Sequence, residues 1–116
     1  MRSFYYAFKG IASAFRSEFN MRIHVLAAVL VTIVGFYFRV SPAEWVMIVF
    51  CICSVIAMEL INTALEQLCN HVTAEQHPAI KQIKDIAAAA VLVTAVGGFV
   101  VALIIFLPKL ILIFST

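Results

Sequence analysis

From Ile86 to Leu107 the chain carries no charged residue, and that single run excludes most folds. About 20 consecutive apolar residues cross the ~30 Å hydrocarbon core of a bilayer. Inside that core every backbone N–H and C=O must be satisfied by the chain itself, which one helix can do alone. Two further stretches read the same way. His24 to Phe38 forms a first span, extended by Arg22 and Arg39, whose long stems reach the two interfaces. Trp45 to Leu68 forms a second. The chain has 116 residues, 65% hydrophobic and 12% charged, with mean hydropathy +1.09. That composition lies outside the range of a soluble globular domain and leaves room for little beyond three spans. The expected fold is an all-α membrane protein with a surface helix over 1–21, transmembrane helices over 22–40, 44–68 and 85–107, and a cytoplasmic loop over 69–84.

Before the first span, Phe4, Phe8, Ile11, Phe15 and Phe19 recur at helical spacing with Lys9, Ser13 and Arg16 opposite them, the pattern of an amphipathic helix lying in the interface plane. These scattered charges leave no short basic head and apolar block, so no cleavable signal peptide is expected. Ser41-Pro42-Ala43-Glu44 has the chemistry of a turn entering a helix: Ser41 as N-cap, Pro42 at the first helical position and Glu44 in the first turn. Arg2, Lys9, Arg16, Arg22, Lys81 and Lys84 fall on one side of the spans, and Arg39 and Lys109 on the other. By the positive-inside rule the N-terminus and the 69–84 loop are cytoplasmic. Ala90, Thr94, Gly98 and Ala102 form a small-residue stripe for close helix packing. Cys51, Cys53 and Cys69 lack metal-type spacing and read as packing residues. The net charge of +2, without a basic run, sets nucleic acid aside.

Against this apolar background Glu59, Asn62 and Glu66 stand out. Their i, i+3, i+7 spacing puts them on one helix face. A charged group at the bilayer centre costs roughly 2.5–3.5 kcal/mol, so an intramembrane acidic cluster calls for a function. With the second span starting at Glu44, Glu59 lies about 22 Å into the core and Glu66 about 10 Å nearer the cytosol. One carboxylate would meet a lipid head group and the other a water-soluble reactant. Glu18, Lys84 and Asp85 belong to the same level. Asp85 is expected to cap the third helix, whose N-terminus with Lys84 would attract an anion such as a polyphosphate. Glu18 and Glu66 are hard oxygen ligands suited to Mg²⁺, which takes one or two protein carboxylates and completes its shell with phosphate and water. Taken singly these residues also admit plain readings: Asp85 as a cap, Lys84 as an anchor, Glu18 and Glu66 as solvated, Glu59 with Asn62 as an assembly cluster. His24 reads as an interfacial residue, and His71 and His77 as loop residues.

The run Glu59-Leu-Ile-Asn-Thr-Ala-Leu-Glu66, followed by His77-Pro78-x-x-Lys81-x-x-Lys84-Asp85-Ile-Ala-Ala-Ala-Ala-Val-Leu92, resembles the prokaryotic diacylglycerol kinase and undecaprenol kinase family. The likeness extends to Gly10-Ile11, Glu18 and Phe106-Leu-Pro-Lys109, so it covers nearly the whole chain. It implies a homotrimeric lipid kinase with sites shared between subunits, using Mg²⁺ and ATP at the bacterial inner membrane. It also implies Glu59 as general base, Asn62 positioning phosphate or substrate, Glu18 and Glu66 holding metal and nucleotide, and Lys84 and Asp85 contacting nucleotide. Two positions depart from the family pattern. Asn70 stands where an Asp is usual, which removes a charge from the nucleotide site, and Ala88-Ala89 stands where relatives often carry a Gly. A phosphate loop of the G-x-x-x-x-G-K-[ST] type is absent. The His77-Pro78 segment and the Leu107-Pro-Lys ending resemble the undecaprenol kinase branch more than the diacylglycerol branch.

The expected activity is transfer of the γ-phosphate of ATP to a membrane lipid alcohol, undecaprenol before diacylglycerol. The competing expectation is a non-catalytic scaffold whose acidic cluster serves assembly. A channel would need a polar file across the full membrane, which the uncharged third span does not supply.

Overall fold

The computed structural model describes residues 2–72 and 77–115, and within them the chain is all α-helix. Helix α1 covers Arg2–Ser17, α2 Phe19–Tyr37, α3 Pro42–Val72 and α4 Pro78–Ser115. The last three are long and apolar enough to cross a membrane. At 1.5 Å per residue the 19 residues of α2 reach about 28 Å, the 31 of α3 about 46 Å and the 38 of α4 about 57 Å. The helices pack in sequence, α1 on α2 and α3, α2 on α3, and α3 most extensively on α4, while α2 and α4 do not meet. The result is a slab of 59 × 38 × 20 Å.

Glu18 separates α1 from α2. Its backbone is extended (φ −118°, ψ 117°) and its side chain makes no cap bond, so the carboxylate is available for other contacts. Between α2 and α3 the turn is closed from both sides. Arg39 adopts a left-handed conformation (φ 52°). The amide of Val40 donates to the carbonyl of Gly35 (3.2 Å) and that of Arg39 to Phe36 (3.3 Å), the two bonds of a Schellman ending. Ser41 then caps α3 as expected: its Oγ accepts from the Glu44 amide (3.2 Å), and Glu44 Oε1 accepts from the Ser41 amide (2.9 Å). Gly35 is required here, because a Cβ would come within 2.7 Å of the Trp45 ring.

A heptad seam joins α4 to the hairpin. Ile80, Lys84, Ala87, Val91, Thr94, Gly98, Val101 and Ile105 alternate in steps of four and three and are all buried or half-buried, the 3.5-residue period of left-handed packing. Of the expected small-residue stripe, Thr94 and Gly98 lie on this seam, whereas Ala90 is exposed. A four-residue step drifts around the helix, and only the alternating step stays on the contact line. The three cysteines are free, and Cys69 is buried.

The helices run further than the polarity of the chain suggests. Cys69 to Val72 continue α3, and α4 begins at Pro78, so within the described residues most of the expected 69–84 loop is helical. Thr73 and Glu75 of that segment lie outside the described residues. Pro78 occupies the first helical position, where its missing N–H costs nothing, and His77 Nδ1 accepts from the Ala79 amide (3.1 Å). Asp85 is consequently not a cap. It lies a further turn and more into α4, exposed and ion-paired with Lys81 at 2.8 Å. At the other end α4 passes through Pro108 instead of stopping there. Proline removes one ladder bond but does not end a helix where no water competes for the freed carbonyl, and the next residue, Lys109, is tied to Glu44 of α3 at 3.0 Å.

Candidate active site

Glu59, Asn62 and Thr63 are the buried polar residues of the described chain, with 1%, 6% and 4% of their surface exposed. All three sit on α3, where the backbone amides are already used in the helix ladder and offer no donor to a side-chain oxygen. Glu59 Oε2 faces His24 Nε2 of α2 at 3.6 Å. The other oxygen, Oε1, has no hydrogen-bond partner, and neither have Asn62 Oδ1 and Thr63 Oγ1. Three orphaned acceptors within five residues are unusual, since buried polar groups are nearly always paired. Each costs on the order of 1–3 kcal/mol to leave so. A site that binds polar groups accounts for them.

The stripe grades from buried to wet along α3. Asn62 donates through Nδ2 to Glu66 Oε1 at 3.4 Å, and Glu66 is half-buried. One turn further, exposed Asn70 accepts a bond of 2.6 Å from Lys84 Nζ on α4. From Glu59 to Asn70 the helix rises about 16 Å. Glu18, at the α1–α2 break, and Glu66 both lie within electrostatic reach of the Glu59 carboxylate.

Of the residues expected from sequence, Glu18, Glu59, Asn62 and Glu66 come together, and Lys84 with Asn70 flanks them. Asp85 does not join them, because Lys81 holds it on the outer surface of α4. Among the described residues no three of His, Cys, Asp and Glu are grouped so as to hold a metal ion by themselves. Two half-buried carboxylates, one with no cap bond and one with an oxygen to spare, instead fit a cation that arrives with phosphate ligands. Two participants were missed. Thr63 stands at i+4 from Glu59, a position that helical spacing alone would have flagged. His24 follows Glu18 by six residues, and its contact with Glu59 depends on how α2 packs against α3.

The family described as prokaryotic diacylglycerol kinase matches residues 5–106. An undecaprenol kinase of Bacillus subtilis is 42% identical over 109 residues, covering 94% of this chain and 89% of the relative. A diacylglycerol kinase of Synechocystis is 33% identical over 93% of this chain and 62% of its own length. One from Escherichia coli K12 is 25% identical over 78% of this chain and 75% of its own. With the match running from α1 into α4 and enclosing the whole polar stripe, the chain belongs to the prokaryotic diacylglycerol kinase family of membrane lipid kinases.

Proposed function

We propose that the protein transfers the γ-phosphate of ATP to the hydroxyl of a membrane lipid alcohol at the cytoplasmic face, with undecaprenol preferred to diacylglycerol. The observation that carries this reading is the Glu59 carboxylate: buried to 1% exposure, held on one oxygen and unpartnered on the other. Oε1 accepts the proton as the lipid O–H bond breaks. The lipid oxygen bonds to the γ-phosphorus, the bond from that phosphorus to the β,γ-bridging oxygen breaks, and ADP leaves. Positioning and charge compensation supply most of the rate in such reactions. Asn62 would orient the acceptor or the phosphate through its free oxygen side and its amide. Glu18 and Glu66 would hold Mg²⁺, which neutralises the nucleotide phosphates when bound. Lys84 supplies positive charge to the nucleotide: its present partner, Asn70, is neutral and leaves that charge uncompensated. Asp85 stays a proposal for the rim of the nucleotide site.

The preference for undecaprenol is supported by the 42% identity to a relative of that name, against 25–38% for relatives named diacylglycerol kinase. It is also supported by the His77-Pro78 and Leu107-Pro108-Lys109 elements. Assembly as a homotrimer with shared sites is the other half of the proposal. A slab 20 Å thick cannot surround a nucleotide and a lipid by itself. The α1 helix, with Phe4, Phe8, Ile11 and Phe15 exposed, is proposed to lie in the cytoplasmic interface of the inner membrane. Residues 22–40, 44–68 and 85–107 would be the embedded parts and the N-terminus cytoplasmic.

The test is transfer of labelled γ-phosphate from Mg-ATP to undecaprenol and to diacylglycerol in mixed micelles, by wild type and Glu59→Gln. Undecaprenol labelled in preference, and labelling lost in the variant with the oligomer intact, is the expected result. Equal turnover by Glu59→Gln would point instead to a scaffold cluster and end the assignment of the base.

A further inference from the structure

Resting on the assignment of Glu59 as base, we propose that His24 is its positioning residue, the group that decides which carboxylate oxygen is free to take the proton. A carboxylate is two-fold symmetric, and rotation about its terminal torsion is soft. A buried carboxylate with no directed contact would therefore present either oxygen, at varying angles, to an incoming hydroxyl. His24 removes that degeneracy. Its Nε2 lies 3.6 Å from Oε2, while Oε1 has no hydrogen-bond partner; the Asn62 amide, on the same helix as Glu59, also acts on the carboxylate. The imidazole is the group of α2 that faces this carboxylate, and it faces one oxygen of the two. The arrangement base, orienting partner, free acceptor atom is the general form by which a proton-accepting group is aimed.

Three further observations favour aiming over simple packing. Firstly, α2 is held in register against α3 at both ends. Met21, one turn before His24, is 1% exposed, and Gly35 touches the Trp45 ring at the far end. The imidazole is thus not needed to locate the helix. Secondly, the side chains differ in access: 19% of His24 is exposed against 2% of Glu59, so of the pair the imidazole is the member reachable from outside. Thirdly, His24 is the one strongly polar group lining an apolar cavity of about 310 Å³ between α2, α3 and α4, bounded elsewhere by residues such as Ala27, Val55, Gly98 and Phe106. An apolar chain in that trough would bring a terminal hydroxyl to His24, whose other polar neighbour is Glu59. The other carboxylates acting on Glu59 are Glu18 and Glu66, and neither lines this cavity.

The experiment is steady-state phosphorylation of undecaprenol in mixed micelles by the full chain carrying His24→Leu, His24→Gln or His24→Asn, alone and combined with Glu59→Gln. Oligomeric state is measured for each. Leu fills the space without a donor, Gln places an N–H at comparable reach, and Asn carries the same donor on a side chain too short to arrive. His24→Leu and His24→Asn are expected to lower kcat about tenfold to a hundredfold, the scale of an ångström-sized misplacement of a reacting group. KM for Mg-ATP should hold and the oligomer stay intact. His24→Gln should recover most of the rate. Added to Glu59→Gln, His24→Leu should cost nothing more, since its role passes through that carboxylate. Unchanged kcat in His24→Leu, a Gln variant as slow as Asn, or an undiminished further loss in the Glu59→Gln background would each overturn the proposal. Failure of wild type to label any lipid, or full activity of Glu59→Gln, would instead defeat the underlying assignment and the proposal with it.

Discussion

Two carboxylates of helix α3, Glu44 and Glu59, are treated in opposite ways. Near its start, Glu44 is fully engaged: one oxygen closes the capping box with Ser41 and the other takes Lys109 across from α4. Around it Val40, Ile48 and Ile105 form the buried apolar cluster of the described chain, with Trp45 and Phe106 against it. About 22 Å further along the helix, by the α-helical rise, Glu59 is more deeply buried yet keeps an orphaned oxygen, beside two more orphans on Asn62 and Thr63. Satisfied polar groups fasten elements together, while unsatisfied ones hold free energy in reserve for a ligand. The Ser41 end of the hairpin is therefore built for stability, and the end that carries Glu59 is the one that the proposed chemistry uses.

That contrast can be broken experimentally. Its largest expected consequence is in Glu59→Gln, which should lower kcat by about 10²- to 10⁴-fold, the usual contribution of a general base, without changing the thermal transition for the worse. Removing an uncompensated buried acceptor in favour of a neutral amide should leave stability level or raised. Glu66→Gln and Glu18→Gln should come next. Each removes a charged oxygen from the proposed Mg²⁺ shell, and the Mg²⁺ concentration for half-maximal turnover should rise about tenfold to a hundredfold, as for the loss of one charged contact. A titration of rate against Mg²⁺ that is unmoved in both would place the metal elsewhere. Gly35→Ala tests the other end: its Cβ would meet Trp45 at 2.7 Å, and overpacking of that kind costs about 1–3 kcal/mol, readable as a lowered denaturation midpoint in detergent. The smallest effect is expected of Glu44→Gln. The pair with Lys109 is only half-buried, so the variant should melt slightly earlier while kcat for lipid phosphorylation stays at the wild-type value. Lost turnover there would erase the distinction between the two carboxylates.

Much of this was legible in the residues. Three apolar runs and their polar boundaries specify helices because the bilayer permits little else, and the Ser41-Pro42-Ala43-Glu44 cap was readable residue by residue. The preceding turn was not, since its left-handed position is taken by Arg39 where glycine is usual. At 69–84 the polar residues allowed a loop or a short surface helix, and Pro78 starts a helix inside which Lys81 pairs with Asp85. That early start is what withdraws Asp85 from its expected capping role. The stripe of Glu59, Asn62 and Glu66 followed from spacing on one helix. The contact of His24 with Glu59 spans two helices and rests on the α2–α3 packing that Gly35 and Trp45 set, information that no local pattern contains.

The short reach of α2 has a consequence for the enzyme's surroundings. At about 28 Å it falls just under the thickness of a typical hydrocarbon core, while α3 and α4 have length to spare. A bilayer thicker than α2 must thin around it or draw it inward, and α2 carries His24. The acyl-chain length of the host lipids thus becomes a control on how high the imidazole and its carboxylate ride relative to the head groups. The membrane acts as a ruler against which the reaction is set.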